Sequence, residues 1–167
     1  ARLGPAAERL ERPFPSRAGY RDFWRAHPAF AEDWSDVVTA YVDYDLVGTE
    51  PALRPASNYA AVAADSLELY EGGPLAAALT GPDPVRLPMT LLRAPRGLLN
   101  EPAALYDPTY LSTWTDVLPT LRVRDVADVN HYTTIMSPPG VAAVADETRR
   151  AVAGGEPASD RDEEAAP

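Results

Sequence analysis

Two histidines, seven serines, twenty-five carboxylates and no cysteine are the groups from which this 167-residue chain could build a reactive centre. Without cysteine there are no disulfides, thiolate metal sites or thiol nucleophiles. Imidazole can take and return a proton near neutral pH, and does so best when a carboxylate holds its other nitrogen. His131 stands in a loop after a strand pattern and before a helix pattern, a place open both to that work and to a loop histidine that only bonds backbone. His27 precedes Pro28 at the end of a predicted helix, where a cationic ring suits the helix dipole, so it reads as structural. One setting that activates a serine nucleophile is the strained strand-to-helix turn of a G-x-S-x-G elbow. None of Ser16, Ser35, Ser57, Ser66, Ser112, Ser137 or Ser159 stands in such a turn.

The elements that must position His131 follow from periodicity. Residues 6–12 form a short possible helix ended by Pro13, and Ser16 offers an N-cap for a helix toward Ala26, with Tyr20, Phe23 and Trp24 on one stripe. A helix over 32–44 would place Trp34, Val37, Val38, Tyr41 and Val42 on one face, with Asp33 and Asp36 in its first turn. Residues 46–56, with Gly48, Pro51 and Pro55, read as a connector. Ser57 then caps a helix through Leu69, and Pro74 opens another that ends near Gly81. The apolar run 87–94 predicts a strand buried on both faces. Asp107 caps a helix from Pro108 to Leu118 carrying Tyr110, Leu111 and Trp114. Leu121, Val123 and Asp125 alternate with Arg122 and Arg124 as a second strand. Ser137 and Pro138 start the last helix, with Val141, Val144, Ala145 and Thr148 as its periodic face.

The order is helices, then strand, helix, strand, loop, helix, an α/β pattern with one parallel βαβ unit. A two-stranded parallel sheet leaves both edges unsatisfied, so more sheet is expected from an upstream segment or partner chain. The charge of −10 and the scatter of the basic residues exclude a nucleic-acid partner. No run reaches the roughly 20 apolar residues a membrane span needs, and the first ten residues lack a secretory leader. A soluble, cytoplasmic chain with no membrane partner is therefore expected. Two histidines a hundred residues apart and scattered carboxylates predict no metal, and the absence of a glycine-rich strand-to-helix turn predicts no cofactor. Residues 154–167, with Glu156, Asp160, Asp162, Glu163 and Glu164 and no apolar period, read as a solvated acidic tail.

The stretch VRDVADVNHYTTIM (123–136) resembles the catalytic-histidine loop of α/β-hydrolases. PMTLLRAPRG (88–97) resembles the penultimate strand of that fold, and YRDFWRAHPAF (20–30) the cap helices of its bacterial members. The resemblance covers most of the chain and rests on the order of the pieces. It implies a helical cap over 1–81, the C-terminal part of the hydrolase core over 82–153, and His131 as general base toward a nucleophile and oxyanion loop in the missing N-terminal half. The reaction implied is hydrolysis of an ester, thioester, amide or epoxide in a small organic substrate. Where many members carry the acid, this chain has Pro95, Arg96 and Gly97. The acid is then an upstream carboxylate, with Glu101 as the weak candidate within the chain. Asp125 and Asp128 read as turn-forming. Two other readings stay open. One is a non-catalytic ligand-binding or interaction protein on the same fold, and the other is a self-contained helical domain with a small sheet. The aromatics Phe23, Trp24, Phe30, Trp34, Tyr41 and Tyr59 are expected to be mostly core, with a few on a pocket wall.

Overall fold

The computed structural model describes residues 9–71 and 73–154, in which helices come first and a parallel strand pair follows. Of the predicted 6–12 helix, Arg9–Glu11 forms a single 3-10 turn, Arg12 is a bend, and residues 6–8 lie outside the described residues. The acidic stretch beyond Gly154 also lies outside them.

Helix α1 (Arg17–Arg25) starts where Ser16 Oγ accepts the Gly19 N–H at 3.1 Å, as the sequence predicts. Its stripe is buried at Tyr20 and Trp24, with Phe23 packed alongside. A 3-10 turn, Pro28–Phe30, follows. Helix α2 (Asp36–Tyr44) begins four residues later than the acidic run at Glu32 and Asp33 suggests. Ser35 is the reason: its hydroxyl accepts from the Val38 N–H at 3.2 Å and fixes the cap there. Trp34 therefore lies before the helix and packs edge-on to Phe30, while Val38 and Val42 are buried and Val37 and Tyr41 are exposed.

The connector contains a two-residue antiparallel pair, β1 (Leu46–Val47) with β2 (Arg54–Pro55). Helix α3 (Tyr59–Glu71) starts after Asn58, whose Oδ1 accepts from the amides of Ala60 and Ala61 at 2.8 and 3.3 Å, so Asn58 takes the capping role expected of Ser57. Helix α4 (Pro74–Thr80) runs to Gly81 as predicted.

Phe14, Tyr20, Trp24, Phe30, Val38, Val42 and Leu53 form the main core. Each large side chain so buried contributes roughly 1.5–3 kcal/mol. Phe14 and Leu53 exchange backbone hydrogen bonds of 2.7 and 3.0 Å, which closes the connector onto the helices. Inside this cluster Arg9 pairs with the buried Asp45 at 3.2 Å, and the Tyr20 hydroxyl donates to the same carboxylate. Burial, and then the bond to Asp45, push the Tyr20 phenol up to about 12. Of the other aromatics expected in the core, Tyr41 and Tyr59 are exposed.

The second half is a βαβ unit. Strands β3 (Met89–Arg93) and β4 (Leu121–Asp125) are parallel, in register from Met89 beside Leu121 to Arg93 beside Asp125. Helix α5 (Pro108–Val117) joins them, with Asp107 Oδ1 accepting from the Tyr110 amide at 2.9 Å. The strand at 87–94 was expected to be buried on both faces, but Leu91 and Leu92 are half-buried and Thr90 is exposed. Each strand has one hydrogen-bonded neighbour among the described residues.

A short helix α6 (Thr133–Met136) leads into α7 (Pro138–Val152), which Ser137 caps. The inner face of α7 differs from the predicted stripe: Gly140 and Ala143 are buried while Val141 and Val144 are exposed. Two contacts set this rotation. Glu147 is drawn inward by Arg122 and Arg124 of β4, at 2.5 and 2.8 Å. Gly140 also lies so close to α6 that a Cβ there would sit 2.1 Å from the Thr134 carbonyl oxygen. The core under α7 is small: Ala94, Val126, Val129 and Ala143, with Leu92 against them. No described helix is long and apolar enough to cross a membrane.

Candidate active site

The His131 loop is built by strand ends and then fixed by side chains. Past β4, the Val126 amide donates to the Arg93 carbonyl at 2.9 Å, continuing the ladder. The chain reverses at Asp128, which takes the left-handed conformation (φ 59°), and Asn130 bridges to Arg96 on the neighbouring loop.

Asn130 is fully buried and is the hub of the loop. Its Oδ1 accepts from the amides of Tyr132 and Thr133 at 3.0 and 2.9 Å, which shapes the turn that presents His131. Its Nδ2 donates to Ala29 O at 2.8 Å and to Asn100 Oδ1 at 3.2 Å. Arg96 completes the clamp, donating to Asn100 Oδ1 at 2.8 Å and to the Asp128 carbonyl at 3.0 Å, and reaching Asp33 at 3.5 Å. The Tyr132 ring packs against Trp24, His27 and Phe30 at centroid distances of 6.3, 5.5 and 5.3 Å. The first helical segment and the histidine loop are therefore one packed unit. Burial raises the Tyr132 phenol pKa.

His131 itself lies at a largely apolar groove of about 340 Å³ lined by Leu91, Leu92, Ala94, Tyr106, Ile135 and the imidazole, with Arg93 and Arg96 as its cationic members. Because consecutive residues of β3 line it, the groove follows the open edge of that strand and not one face. The ring is exposed at the groove mouth, and desolvation by its surroundings lowers the His131 pKa from its ordinary value, which favours the neutral form able to accept a proton. Its imidazole makes no hydrogen bond among the described residues.

The other predicted groups fall elsewhere. Glu101 Oε2 accepts from the Leu99 amide at 2.7 Å, its backbone carbonyl receives the Gly97 N–H at 3.0 Å, and no hydrogen bond links it to His131. Asp125 forms a two-pronged pair with Arg93, both contacts at 2.6 Å, and this partner holds its carboxyl below the usual range. His27 is structural, but not as a cation at a helix end. It is buried, its Nδ1 accepts from the Ala29 amide at 3.2 Å, and burial lowers its pKa, all of which favour the neutral ring.

Sequence reasoning missed Asn130 and Arg96. For Asn130 a signal existed, since an Asn placed two and three residues before unpaired helix-start amides suits a local turn bond. Arg96 shows in the sequence only as a residue standing where an acid is expected. Chemically, the described residues supply one neutral base beside an apolar strand edge; a nucleophile and a carboxylate bonded to that base are not among them.

No protein-family description matches the chain, and no curated protein does. Among solved structures, the crystal structure of E-2-(acetamidomethylene)succinate hydrolase is similar, with a TM-score of 0.59 and 17% sequence identity over 86% of this chain. That match covers 51% of the hydrolase chain, so this chain spans about half its length. At that identity the likeness carries the fold: α/β, overlaying about half of an α/β-hydrolase.

Proposed function

We propose that this chain is the C-terminal half of an α/β-hydrolase, in which His131 is the general base for a nucleophile supplied by the N-terminal half, either upstream in the same polypeptide or as a second chain. The observation that carries this reading is the His131 imidazole, unbonded among the described residues and presented by the Asn130-shaped loop at the open, largely apolar edge of β3. A further strand laid along that edge would bring the end of its own following loop beside His131, where a nucleophile is wanted. The likeness to a hydrolase of this fold supports the same class of chemistry.

In this reading His131 takes the hydroxyl proton as the nucleophile's oxygen attacks the substrate carbonyl. It returns that proton to the leaving group as the carbonyl–leaving-group bond breaks, and repeats the cycle with water. The substrate is a small organic ester, thioester or amide; an epoxide would require a carboxylate nucleophile instead of serine. The acid that orients His131 comes from the other half, since Glu101 is occupied by the Leu99 amide. That engagement of Glu101, with Gly97 at the usual acid position, is what favours the second reading, a ligand-binding protein without catalysis.

Fluorophosphonate labelling of the full-length protein separates the two. Labelling of a serine in the N-terminal half, abolished in His131→Ala and retained in Glu101→Gln, supports the hydrolase with an upstream acid. Loss of labelling in Glu101→Gln would instead make Glu101 the acid. No labelling of the folded protein would favour the binding reading.

A further inference from the structure

The two open edges of the strand pair differ in character. Beside β4, opposite the β3 groove, runs a second groove of about 680 Å³, lined by Arg93, Arg122, Arg124 and Arg150 and by Ser112 and Thr115 of α5. Four consecutive residues of β4, 122–125, line it, so it too follows a strand edge. Five guanidiniums cluster here (Arg93, Arg122, Arg124, Arg149 and Arg150) against three carboxylates (Asp125, Asp146 and Glu147). Glu147 alone serves Arg122, Arg124 and Arg150, at 2.5, 2.8 and 2.7 Å. Each guanidinium carries five N–H donors, so most of these donors are uncommitted among the described residues. A local excess of positive charge in a chain of net charge −10 calls for an anionic occupant.

We infer that the arginine-lined edge of β4 is a docking groove for the chain's own acidic segment, residues 156–164. Three observations select this occupant. The segment carries Glu156, Asp160, Asp162, Glu163 and Glu164 against the single Arg161, complementary to the groove. It follows in sequence α7, whose last turn holds Arg149 and Arg150, and Arg150 lines the groove. Its nine residues can span roughly 30 Å when extended, more than the roughly 17 Å of a five-residue strand, so reach is not limiting. A second copy of the chain fits poorly, because pairing two β4 edges would set arginine rows against each other. A docked segment would also shield an open strand edge from adventitious pairing. The inference is independent of the hydrolytic reading.

Hydrogen exchange at the β4 amides tests it, on the full-length protein, on a variant lacking 156–164, and on the Arg122→Gln/Arg150→Gln variant with Arg25→Gln/Arg86→Gln as a charge-matched control away from the groove. We expect exchange over 121–125 to accelerate by about fivefold or more on removing the segment at about 0.02 M salt, with the difference collapsing at about 0.5 M. A synthetic peptide of residues 155–167 should restore slow exchange to the shortened protein and fail to do so on the Arg122→Gln/Arg150→Gln background. The Arg25→Gln/Arg86→Gln protein should behave as the unmodified one. Unchanged exchange on removal of the segment, together with no effect of the peptide, would overturn the inference. So would restoration by a peptide whose acids are replaced by amides, or protection that rises with protein concentration and so assigns the edge to a second copy.

Discussion

Asn130 Nδ2 donates to the main-chain oxygen of Ala29 at 2.8 Å across 101 residues of sequence, tying the loop that carries His131 to the turn after α1. The same side chain accepts two amides of its own loop. Its removal would leave three buried backbone groups without a partner. Asn130→Ala should therefore lower unfolding free energy by about 2–4 kcal/mol, measured by urea denaturation, and Asn130→Asp should do little better because it loses the donor to Ala29. A loss below about 0.5 kcal/mol, the range of ordinary surface changes, would contradict the hub role.

Tyr20 makes a pH prediction at the alkaline end. Its folded pKa, raised to about 12 from 10.0, means the unfolded chain loses the phenolic proton first as pH rises. The stability it contributes is intact below pH 10 and is lost on rising through 12. In that window this group alone should lower stability by about 1.4 kcal/mol per pH unit. Tyr20→Phe should flatten that part of the pH–stability curve, and an unaltered slope would show that the phenol is not held as described.

The histidines act at the opposite end. Burial lowers the pKa of both His27 and His131 in the folded chain, so the unfolded chain takes up protons first as pH falls. The stability they hold is complete above the ordinary histidine pKa of 6.5 and declines below it. His27 should dominate, because protonating Nδ1 would break its bond from the Ala29 amide. His27→Asn keeps a cap acceptor without a titrating ring, and its stability should vary less between pH 7 and pH 5, which thermal melts at a series of pH values would read.

Two glycines should respond differently to the same added methyl. At Gly97 the new Cβ would meet the Glu101 carboxylate, a side-chain end that can swing away, and the Ala103 carbonyl oxygen at 3.0 Å, which need give by only a few tenths of an ångström, so Gly97→Ala should cost about 1–1.5 kcal/mol, mainly the released bond to the Leu99 amide. At Gly140 it would meet the Thr134 and Thr133 carbonyls at 2.1 and 2.6 Å, which are backbone. Gly140→Ala should cost about 2–3 kcal/mol or more, and equal effects in chemical denaturation would refute the difference in rigidity.

The features legible in the sequence are those whose causes are local. Ser16, Asp107 and Ser137 cap the helices that their spacing predicts, the strand–helix–strand order appears as a parallel βαβ unit, and His131 lies in the expected loop. The start of α2 was misplaced because Glu32 and Asp33 look like a first turn, while Ser35 supplies the cap oxygen. The rotation of α7 was not legible at all: it depends on Arg122 and Arg124 meeting Glu147, and on Gly140 meeting α6, neither of which a helical period records. The clamp around His131 escaped for the same reason, since Asn130 finds Ala29 and Arg96 finds Asp33 only through the fold.

The central claim is that His131 serves as the base, and the most direct measurement joins two titrations on the full-length protein: the imidazole proton of His131 by NMR, and the rate of fluorophosphonate labelling over the same pH range. The account predicts that the labelling rate rises as His131 loses its proton, with one midpoint shared by the two titrations. A labelling rate that is flat across that titration, or undiminished in His131→Ala, would contradict it.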